Sequence, residues 1–398
     1  MDFFPNEAQQ ELSALTRQIV TDRVTEDRLR TVEAGGDRFD PLLWAGLASA
    51  GILASGLPES LGGAGLGLLE QCAVLAELGR AVAPAPYLAS IVLGAGAVAR
   101  FGTPGQQRRW AGPAGRGELV LAAALSEDDG DDPRDPGVHA ERVAGRWVLT
   151  GVKTAVLGGV RADLLLVPAA TPQGTLVFVA GPADDGVTVQ RQQVTDGYSA
   201  GRLVLDAVAL ADDRVLGGPG LGGPELDRPE LDGPELGGPE LGDGPAAGAE
   251  ITDWLVARGT VGLCALQLGV VERALELTAE YTRTRVQFGR AIGSFQAVSQ
   301  RLADAYIDCE AVRLTMWQAA WRLSAGLPAD TAIATAKFWA ADAGHRIAHT
   351  AVHVHGGMGV DTSYPLHRYF VAAKHNEFAL GGATAQLRRI GAALARAD

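Results

Sequence analysis

The chain has 398 residues, of which 47% are hydrophobic and 20% charged, so it can form two or three packed units with large cores. Its formal net charge of −13 excludes a general nucleic-acid binder, because phosphate contact requires a basic surface. The N-terminus has no basic segment ahead of an apolar run, and no signal peptide is expected. Three cysteines without metal spacing, Cys72, Cys264 and Cys309, predict buried thiols in a cytoplasmic protein.

The first third of the chain has a helical pattern. Glu70 to Leu78 alternates core and surface residues at helical spacing, and a glycine-rich turn precedes it. The uncharged stretch from Ala81 to Ala99 is nearly long enough to cross a bilayer, but it contains Pro84 and Pro86. We therefore expect a buried loop and helix there, and no membrane contact.

From about Leu119 the pattern changes to short β-branched runs bounded by Gly, Pro or Asp, which are typical of strands in a small antiparallel unit. These runs are WVLTG (Trp147–Gly151), DLLLV (Asp163–Val167), TLVFVAG (Thr175–Gly181), VTVQ (Val187–Gln190) and RLVLDAV (Arg202–Val208).

A repeat then runs from Leu216 to Gly244, with proline at every fifth residue from Pro219 to Pro239. Because proline has no backbone donor, such a repeat continues neither a helix nor a strand ladder. It is interpreted as an expanded surface loop, and a partner-binding linker is the alternative.

Three long segments after Glu250 have apolar residues at steps of three or four, which indicates an antiparallel helical bundle. The predicted fold is α+β and mostly α, with a small antiparallel β-barrel-like middle domain and a C-terminal antiparallel four-helix bundle. The predicted units are an N-terminal helical domain (1–118), the middle β domain (119–215), a Pro/Gly-rich linker (216–249) and the bundle (250–398).

Two motifs stand at the ends of these long helices. Arg285 to Gly289 closes the first, and Phe295-Gln296 opens the second. A guanidinium fork binds diphosphate oxygens bidentately, and the amides that open a helix attract anions. The alternative is an ordinary helical hairpin with surface arginines.

The second motif runs from His353 to Val360, and its paired glycines allow a ligand to approach the backbone closely. His345, His349 and His353 share one helical face, so a metal site is the alternative to a ligand-binding glycine turn. No carboxylate stands at a ligand-like spacing in that stripe, and no metal is expected.

These motifs together resemble the acyl-CoA dehydrogenase family over nearly the whole chain. The matching segments are Leu57–Glu59 with Gly62–Gly65, Ala123–Glu127, Leu149–Lys153, Arg285–Gly289 with Ile292 and Phe295-Gln296, His355–Gly359 and Tyr364–Arg368.

The resemblance implies a flavoenzyme that removes two hydrogens from the Cα–Cβ bond of an acyl-CoA. Family members are usually tetramers, and the adenosine diphosphate tail of each FAD reaches a neighbouring subunit. The residues implied to hold that tail here are Arg285, Gln287, Phe288, Gln296, His353, Gly356, Gly357 and Gly359. His353 stands where the family has a glutamine.

The chain departs from the family where the catalytic glutamate is expected. One family position falls on Leu380 or Gly381 and the other near Gly259, and neither has a carboxylate. No catalytic residue is therefore assigned. Glu377 is the nearest acidic residue, about one helical turn from the first position.

The flavin side departs as well. Lys153 to Leu157 lacks the aromatic ring and hydroxyl of the family's corresponding segment. An acidic loop, Glu127 to Asp132, replaces the usual glycine–serine turn, and its carboxylates are expected to repel a phosphate.

The pattern is most similar to the non-catalytic subunit of actinobacterial heterotetrameric acyl-CoA dehydrogenases, some of which act on steroid side-chain CoA thioesters. The resemblance implies FAD, an acyl-CoA substrate, a homologous subunit in an α2β2 assembly and an electron-transfer flavoprotein or similar acceptor. A self-sufficient homotetramer that uses Glu377 and a flavin-free scaffold are the two alternatives.

Overall fold

A computed structural model describes residues 4–36, 38–128, 130, 132–197, 199–218 and 248–396. Helices form the first and last parts of the described chain, and a curled sheet lies between them. The order of helices, sheet and helices confirms the predicted fold class.

The N-terminal helices begin where the sequence provides caps. Asn6 and Gln9 form a capping box at the first helix, and the carboxylate of Asp40 accepts the backbone N–H groups of Leu42 and Leu43 at the third. Leu88–Ala95 is wound as a π-helix that runs into α5, so the uncharged stretch there is buried, as predicted. The helices are α1 (Glu7–Arg23), α2 (Glu26–Ala34), α3 (Pro41–Ser49), α4 (Leu68–Arg80), α5 (Gly96–Phe101), α6 (Pro104–Gln106) and α7 (Gly112–Gly115).

The middle sheet has the strand order β1-β4-β2-β3-β7-β6, with β5 on the other side of β4. The five predicted strands are confirmed, but β1 and β2 pair with β4 in parallel, so the unit is not purely antiparallel. The strands are β1 (Leu121–Ala123), β2 (His139–Val143), β3 (Arg146–Val156), β4 (Leu164–Thr171), β5 (Gly174–Ala180), β6 (Val187–Gln193) and β7 (Ser199–Leu210).

The C-terminal helices form the predicted bundle around a core shared with the N-terminal helices. α8 is apolar and long enough to cross a membrane, but most of its apolar part is buried inside the fold. The elements are α8 (Gly248–Thr284), β8 (Val286–Gln287), β9 (Arg290–Ala291), α9 (Gln296–Ser324), α10 (Asp330–His355), α11 (Leu366–Phe378) and α12 (Ala383–Leu394).

The proline repeat lies outside the described residues from 219 to 247, but its two flanks are described. Leu216 is buried, and its N–H donates to the carbonyl of Val177 in β5. Gly248, which begins α8, packs against Thr175 and Leu176 of the same strand. Both flanks of the repeat therefore lie beside β5.

Arg368, from the last of the matching motifs, belongs to this framework. Its guanidinium is buried, with Nε 2.7 Å from Glu33 Oε1 and Nη1 2.7 Å from Glu26 Oε2. The residue therefore ties α11 to α2. Desolvation lowers the pKa of Arg368, but the bonds from Glu33 and Glu26 outweigh it and leave that pKa raised.

Candidate functional site

The sheet, the π-helical segment, α8 and α11 enclose a cavity of about 430 Å³, here named the interdomain cavity. Its walls are mostly aliphatic, and its few polar groups include Ser126, Thr195, Lys374 and His375. Apolar walls with a few polar groups are typical of small-molecule sites. None of the predicted cofactor-binding residues lines this cavity, but the two positions where the family's carboxylate was expected do.

Both positions that lack a catalytic carboxylate face the interdomain cavity. A methyl group built on Gly259 would lie 3.0 Å from Cδ1 of Leu380, although the two residues are far apart in sequence. Leu380 has φ of +54°, which is uncommon for a residue with a side chain, and Gly381 follows it in the same turn. An aliphatic side chain thus fills the space where a general base would reach a substrate.

Glu377, the nearest acidic residue to Leu380 in sequence, points away from the cavity into an ion pair. It is not among the residues that line the cavity. Its Oε2 lies 2.6 Å from Lys374 Nζ and 3.2 Å from His345 Nδ1. The Glu377 carboxylate is largely buried and forms an ion pair with the Lys374 ammonium.

The wall of the cavity at Ala155 and Leu157 offers no side-chain donor. The backbone N–H of Ala155 donates to Oε1 of Gln192 at 2.7 Å, and the hydroxyl of Thr154 bonds to the same amide. The polar groups of this segment are therefore satisfied within the chain. At this wall the residues do not fit an isoalloxazine ring that needs an aromatic neighbour and a hydroxyl donor.

The acidic loop is less repulsive than its sequence indicates. Glu127 lies 2.5 Å from the ammonium of Lys153, which is fully buried, and accepts the N–H groups of Gly137 and Val138. Burial alone would raise the pKa of Glu127, but the Lys153 ion pair and the two N–H bonds outweigh it and lower that pKa. Desolvation lowers the pKa of Lys153, although Glu127 opposes the shift.

Asp132 in the same loop pairs with Arg134. The expectation that the loop repels phosphate therefore does not hold for Glu127 and Asp132, because each carboxylate has a cation beside it. Asp129 and Asp131 lie outside the described residues.

A second region, here named the bundle end, begins where α8 finishes. Val286–Gln287 and Arg290–Ala291 form a small hairpin, and its two-residue loop is Phe288-Gly289. Both loop residues have positive φ, +52° and +79°, as a type I′ turn requires. Phe288 is 92% exposed, an unusual combination for a bulky residue in a left-handed conformation.

Arg285 precedes this hairpin and points its donors outward. Its backbone is fixed, because its N–H donates to Tyr281 at 2.8 Å and its carbonyl accepts from Ile292 at 2.9 Å. Its side chain is exposed and has no ion pair or hydrogen bond within the described chain. The amides of Gln287 and Gln296 are also exposed, and no side chain caps the start of α9.

The glycine motif forms a tight turn at the end of α10. Gly356 has φ of +64°, and a methyl group built on Gly359 would lie 2.9 Å from Cα of Val352. Gly357 differs from both, because it has no positive φ and a methyl group there would meet nothing within 4 Å. The fold of this chain therefore requires glycine at two of these positions and leaves the third open to solvent.

Aromatic stacking brings the two motifs to the same bundle end. The ring of Tyr281, one turn before Arg285, stacks on that of His355 with centroids 4.3 Å apart. His355 immediately precedes Gly356, so the stacked rings join the turn of α8 that leads to Arg285 with the residue that leads into the glycine turn. The stacking of Tyr281 on His355 was not predicted, although His355 belongs to one of the matching segments.

The histidine stripe does not form a metal centre. The His345 and His349 rings lie 4.3 Å apart, and His353 is exposed one turn later. Within the described ranges no group of three or more His, Cys, Asp or Glu side chains is arranged to hold a metal. Burial, with the charges of His345 and Lys374, lowers the pKa of His349.

The comparisons with known proteins agree with this geometry. The acyl-CoA dehydrogenase N-terminal domain model matches residues 6–118, and the C-terminal domain model matches residues 246–395. The chain is 47% identical to acyl-CoA dehydrogenase FadE27 of Mycobacterium tuberculosis, over 99% of both chains.

Two solved structures are similar over almost the full chain. One is the ChsE4-ChsE5 complex from Mycobacterium tuberculosis, with a TM-score of 0.88 and 47% identity over 99% of both chains. The other is a variant of the Tcur3481-Tcur3483 steroid ACAD, with a TM-score of 0.86 and 39% identity over 98% of both chains.

Proposed function

The chain belongs to the acyl-CoA dehydrogenase family of FAD-dependent oxidoreductases, and we propose that it is the subunit that completes the FAD site of a homologous catalytic partner. In this assignment the partner contributes the catalytic glutamate, and this chain contributes the grip on the FAD tail. The observation that carries the proposal is Arg285, an exposed guanidinium that has no partner within the described residues.

The residues at the bundle end fit a diphosphate. The Arg285 guanidinium offers a planar fork of donors, and the amides of Gln287 and Gln296 add neutral donors beside it. Gly357, open to solvent, leaves room for a ligand to approach the backbone N–H groups of the turn. His353 offers an imidazole at the same end of α10, and the exposed ring of Phe288 can shield the contact from water.

The reaction of the family removes an α-proton and a β-hydride from an acyl-CoA. Bound FAD supplies the acceptor of the hydride. This chain's part in the proposal is to bind and orient, because Leu380 and Gly259 supply no group that can take the proton. Its own interdomain cavity also lacks the side-chain donor that a flavin ring would need at Ala155 and Leu157.

The partner in this proposal is a homologous acyl-CoA dehydrogenase subunit, in an α2β2 assembly located in the cytoplasm. Two similar structures are described as complexes of two differently named chains, which supports a hetero-oligomer. One of them is described as a steroid ACAD, and on that ground we propose a steroid side-chain CoA thioester as substrate class. An electron-transfer flavoprotein or similar acceptor would reoxidise the flavin.

Flavin absorbance separates this proposal from its two alternatives. The chain should be colourless when expressed alone and yellow when co-expressed with the homologous subunit. A yellow chain alone would support the self-sufficient homotetramer. The ion pair between Glu377 and Lys374 argues against that alternative, because it occupies the carboxylate that would act as the base. A complex that is colourless would identify a flavin-free scaffold.

Substitution of Arg285 tests directly whether its guanidinium binds the FAD diphosphate. A charge-assisted bidentate contact is worth about 1.5–3 kcal/mol, so Arg285→Ala should weaken FAD binding to the complex about ten- to a hundredfold. Arg285→Lys should recover only part of that, because an ammonium cannot form the fork. Arg108→Ala, at an exposed arginine on the N-terminal helices, is the matched control.

The measurement is the FAD dissociation constant of the complex, with circular dichroism of each variant. Unchanged affinity in Arg285→Ala would show that the phosphates are held elsewhere and would refute the assigned role.

A further inference from the structure

Three aromatic side chains at the bundle end pack against one another without facing the interdomain cavity. Tyr281 stacks on His355 with an interplanar angle of 21°, and the His355 ring also meets Tyr364 at a centroid distance of 5.3 Å. They come from the end of α8, the end of α10 and the segment before α11. We name this group the aromatic joint.

Hydrogen bonds fix the orientation of the central ring. Nδ1 of His355 lies 2.8 Å from the carbonyl oxygen of Ala351, so Nδ1–H is the donor there. Nε2 then has a free lone pair and accepts the hydroxyl of Tyr364 at 3.2 Å. His355 is only 4% exposed, and burial lowers its pKa, which agrees with a neutral ring that holds one tautomer.

The aromatic joint connects the two ligand-facing segments through the backbone. The carbonyl of Tyr281 accepts the N–H of Arg285, and the carbonyl of Arg285 accepts the N–H of Ile292 across the hairpin. On the other side, His355 is the last residue of α10, and the glycine turn starts at Gly356. A shift of one ring against the other would therefore move the arginine relative to the turn.

We infer that Tyr281, His355 and Tyr364 are positioning residues, which set the distance between the Arg285 fork and the glycine turn that together receive a diphosphate. This inference rests on the function proposed above and adds to it. None of the three rings needs to touch the ligand. Their contribution to binding is that the two segments are already placed when the ligand arrives.

A double-mutant cycle on the co-expressed complex tests the coupling. Tyr281→Ala removes the stacked ring, whereas Tyr281→Phe keeps it and is the matched control. An aromatic pair of this kind corresponds to about a two- to tenfold change in an equilibrium constant. We expect Tyr281→Ala to raise the FAD dissociation constant by that factor, Tyr281→Phe to leave it unchanged, and Tyr281→Ala to have no further effect when Arg285 is already alanine.

Equal losses on both backgrounds would show that the ring acts independently of Arg285 and would overturn the inference. So would an unchanged dissociation constant in Tyr281→Ala. A purely structural role would lower the melting temperature of the whole complex and leave the two losses additive.

Hydrogen–deuterium exchange of the chain alone separates this inference from the proposed function. In Tyr281→Ala the amides of Arg285 and Ile292 should exchange faster than in Tyr281→Phe, because their hydrogen bonds depend on the placement of the hairpin. Equal amide exchange rates in Tyr281→Ala and Tyr281→Phe would refute the positioning role of the aromatic joint, whatever the flavin affinities are. Faster exchange with an ineffective Arg285→Ala refutes the proposed function alone.

Discussion

The interdomain cavity and the bundle end differ in where their side chains find partners. In the cavity region, charged side chains form ion pairs within the chain, as in Lys153–Glu127 and Lys374–Glu377. At the bundle end, Arg285 is exposed and pairs with no residue that the structure describes, and Phe288 adopts a left-handed conformation with its ring largely exposed.

The difference agrees with the function proposed above. Leu380 fills space beside Gly259, and both are explained by packing within the chain. Nothing within the described chain explains the exposure of Phe288 or the absence of a side chain at Gly357. In this comparison, the interdomain cavity has no carboxylate at Gly259 or Leu380, whereas the bundle end exposes donors that have no partner within the described chain.

The largest expected effect concerns turnover. A positioned general base contributes about 10²–10⁴ in rate, so the chain alone should oxidise acyl-CoA more slowly than the complex by at least that factor. A dye-reduction assay with each preparation measures it. Turnover by the pure chain at the rate of the complex would contradict the absence of a general base, because the interdomain cavity would then be an active site.

Glu377→Gln in the complex is the control for this experiment. If Glu377 only pairs with Lys374 and His345, the rate of the complex should change little. A loss of about 10²-fold or more would identify it as the base.

Two glycines of the turn at the bundle end are expected to differ, one in stability and the other in ligand binding. Gly359→Ala should lower the free energy of unfolding by about 1–3 kcal/mol, because its methyl group would meet the backbone of Val352. Gly357→Ala should leave stability unchanged and weaken FAD binding to the complex. Urea titrations and flavin titrations of both variants give the four values. Equal destabilisation by both substitutions would contradict the assignment of Gly357 to a ligand.

A buried lysine tests the internal pairing near the cavity. Lys337 donates to the carbonyls of Asn376 and Glu377, and burial lowers its pKa to about 8, although Cys264 and Glu377 oppose the shift. Below pH 8 both folded and unfolded chains carry this proton. Between pH 8 and the unfolded pKa of about 10.5 only the unfolded chain keeps it, so stability should rise with pH.

The expected gain from pH 8 to 9.5 is about 1–2 kcal/mol in urea unfolding of the wild type. Lys337→Met should lack this part of the pH dependence. The same slope in both proteins would show that other groups cause it.

The smallest effect is expected from deletion of the proline repeat. Deletion of residues 219–244 should change the free energy of unfolding by less than about 0.6 kcal/mol, because loop length has a weak effect on closure entropy and both flanks lie beside β5. A deletion that begins at Leu216 should cost about 2–5 kcal/mol, since that side chain is buried. Thermal melts of the two deletions decide between a tolerated repeat and a structural one.

The sequence predicted what depends on local periodicity and on motif spacing. The helical stripes placed α8, α9 and α10, and the β-branched runs placed β3 to β7, because burial imposes periods that are visible in one segment. The parallel pairing of β1 with β4 was missed, since it joins residues far apart in the chain. For the same reason the neutralisation of Glu127 by Lys153 and the stacking of Tyr281 on His355 were not foreseen.

Phe288 also bears on the life of the chain before assembly. The phenyl ring at the hairpin tip is an exposed hydrophobic surface that favours association with other proteins. Its left-handed backbone adds about 1 kcal/mol of strain. Surplus copies would therefore tend to associate through their tips and become substrates for chaperones and proteases. In the assembly proposed above, a partner that covers this tip would remove the exposed ring from solvent.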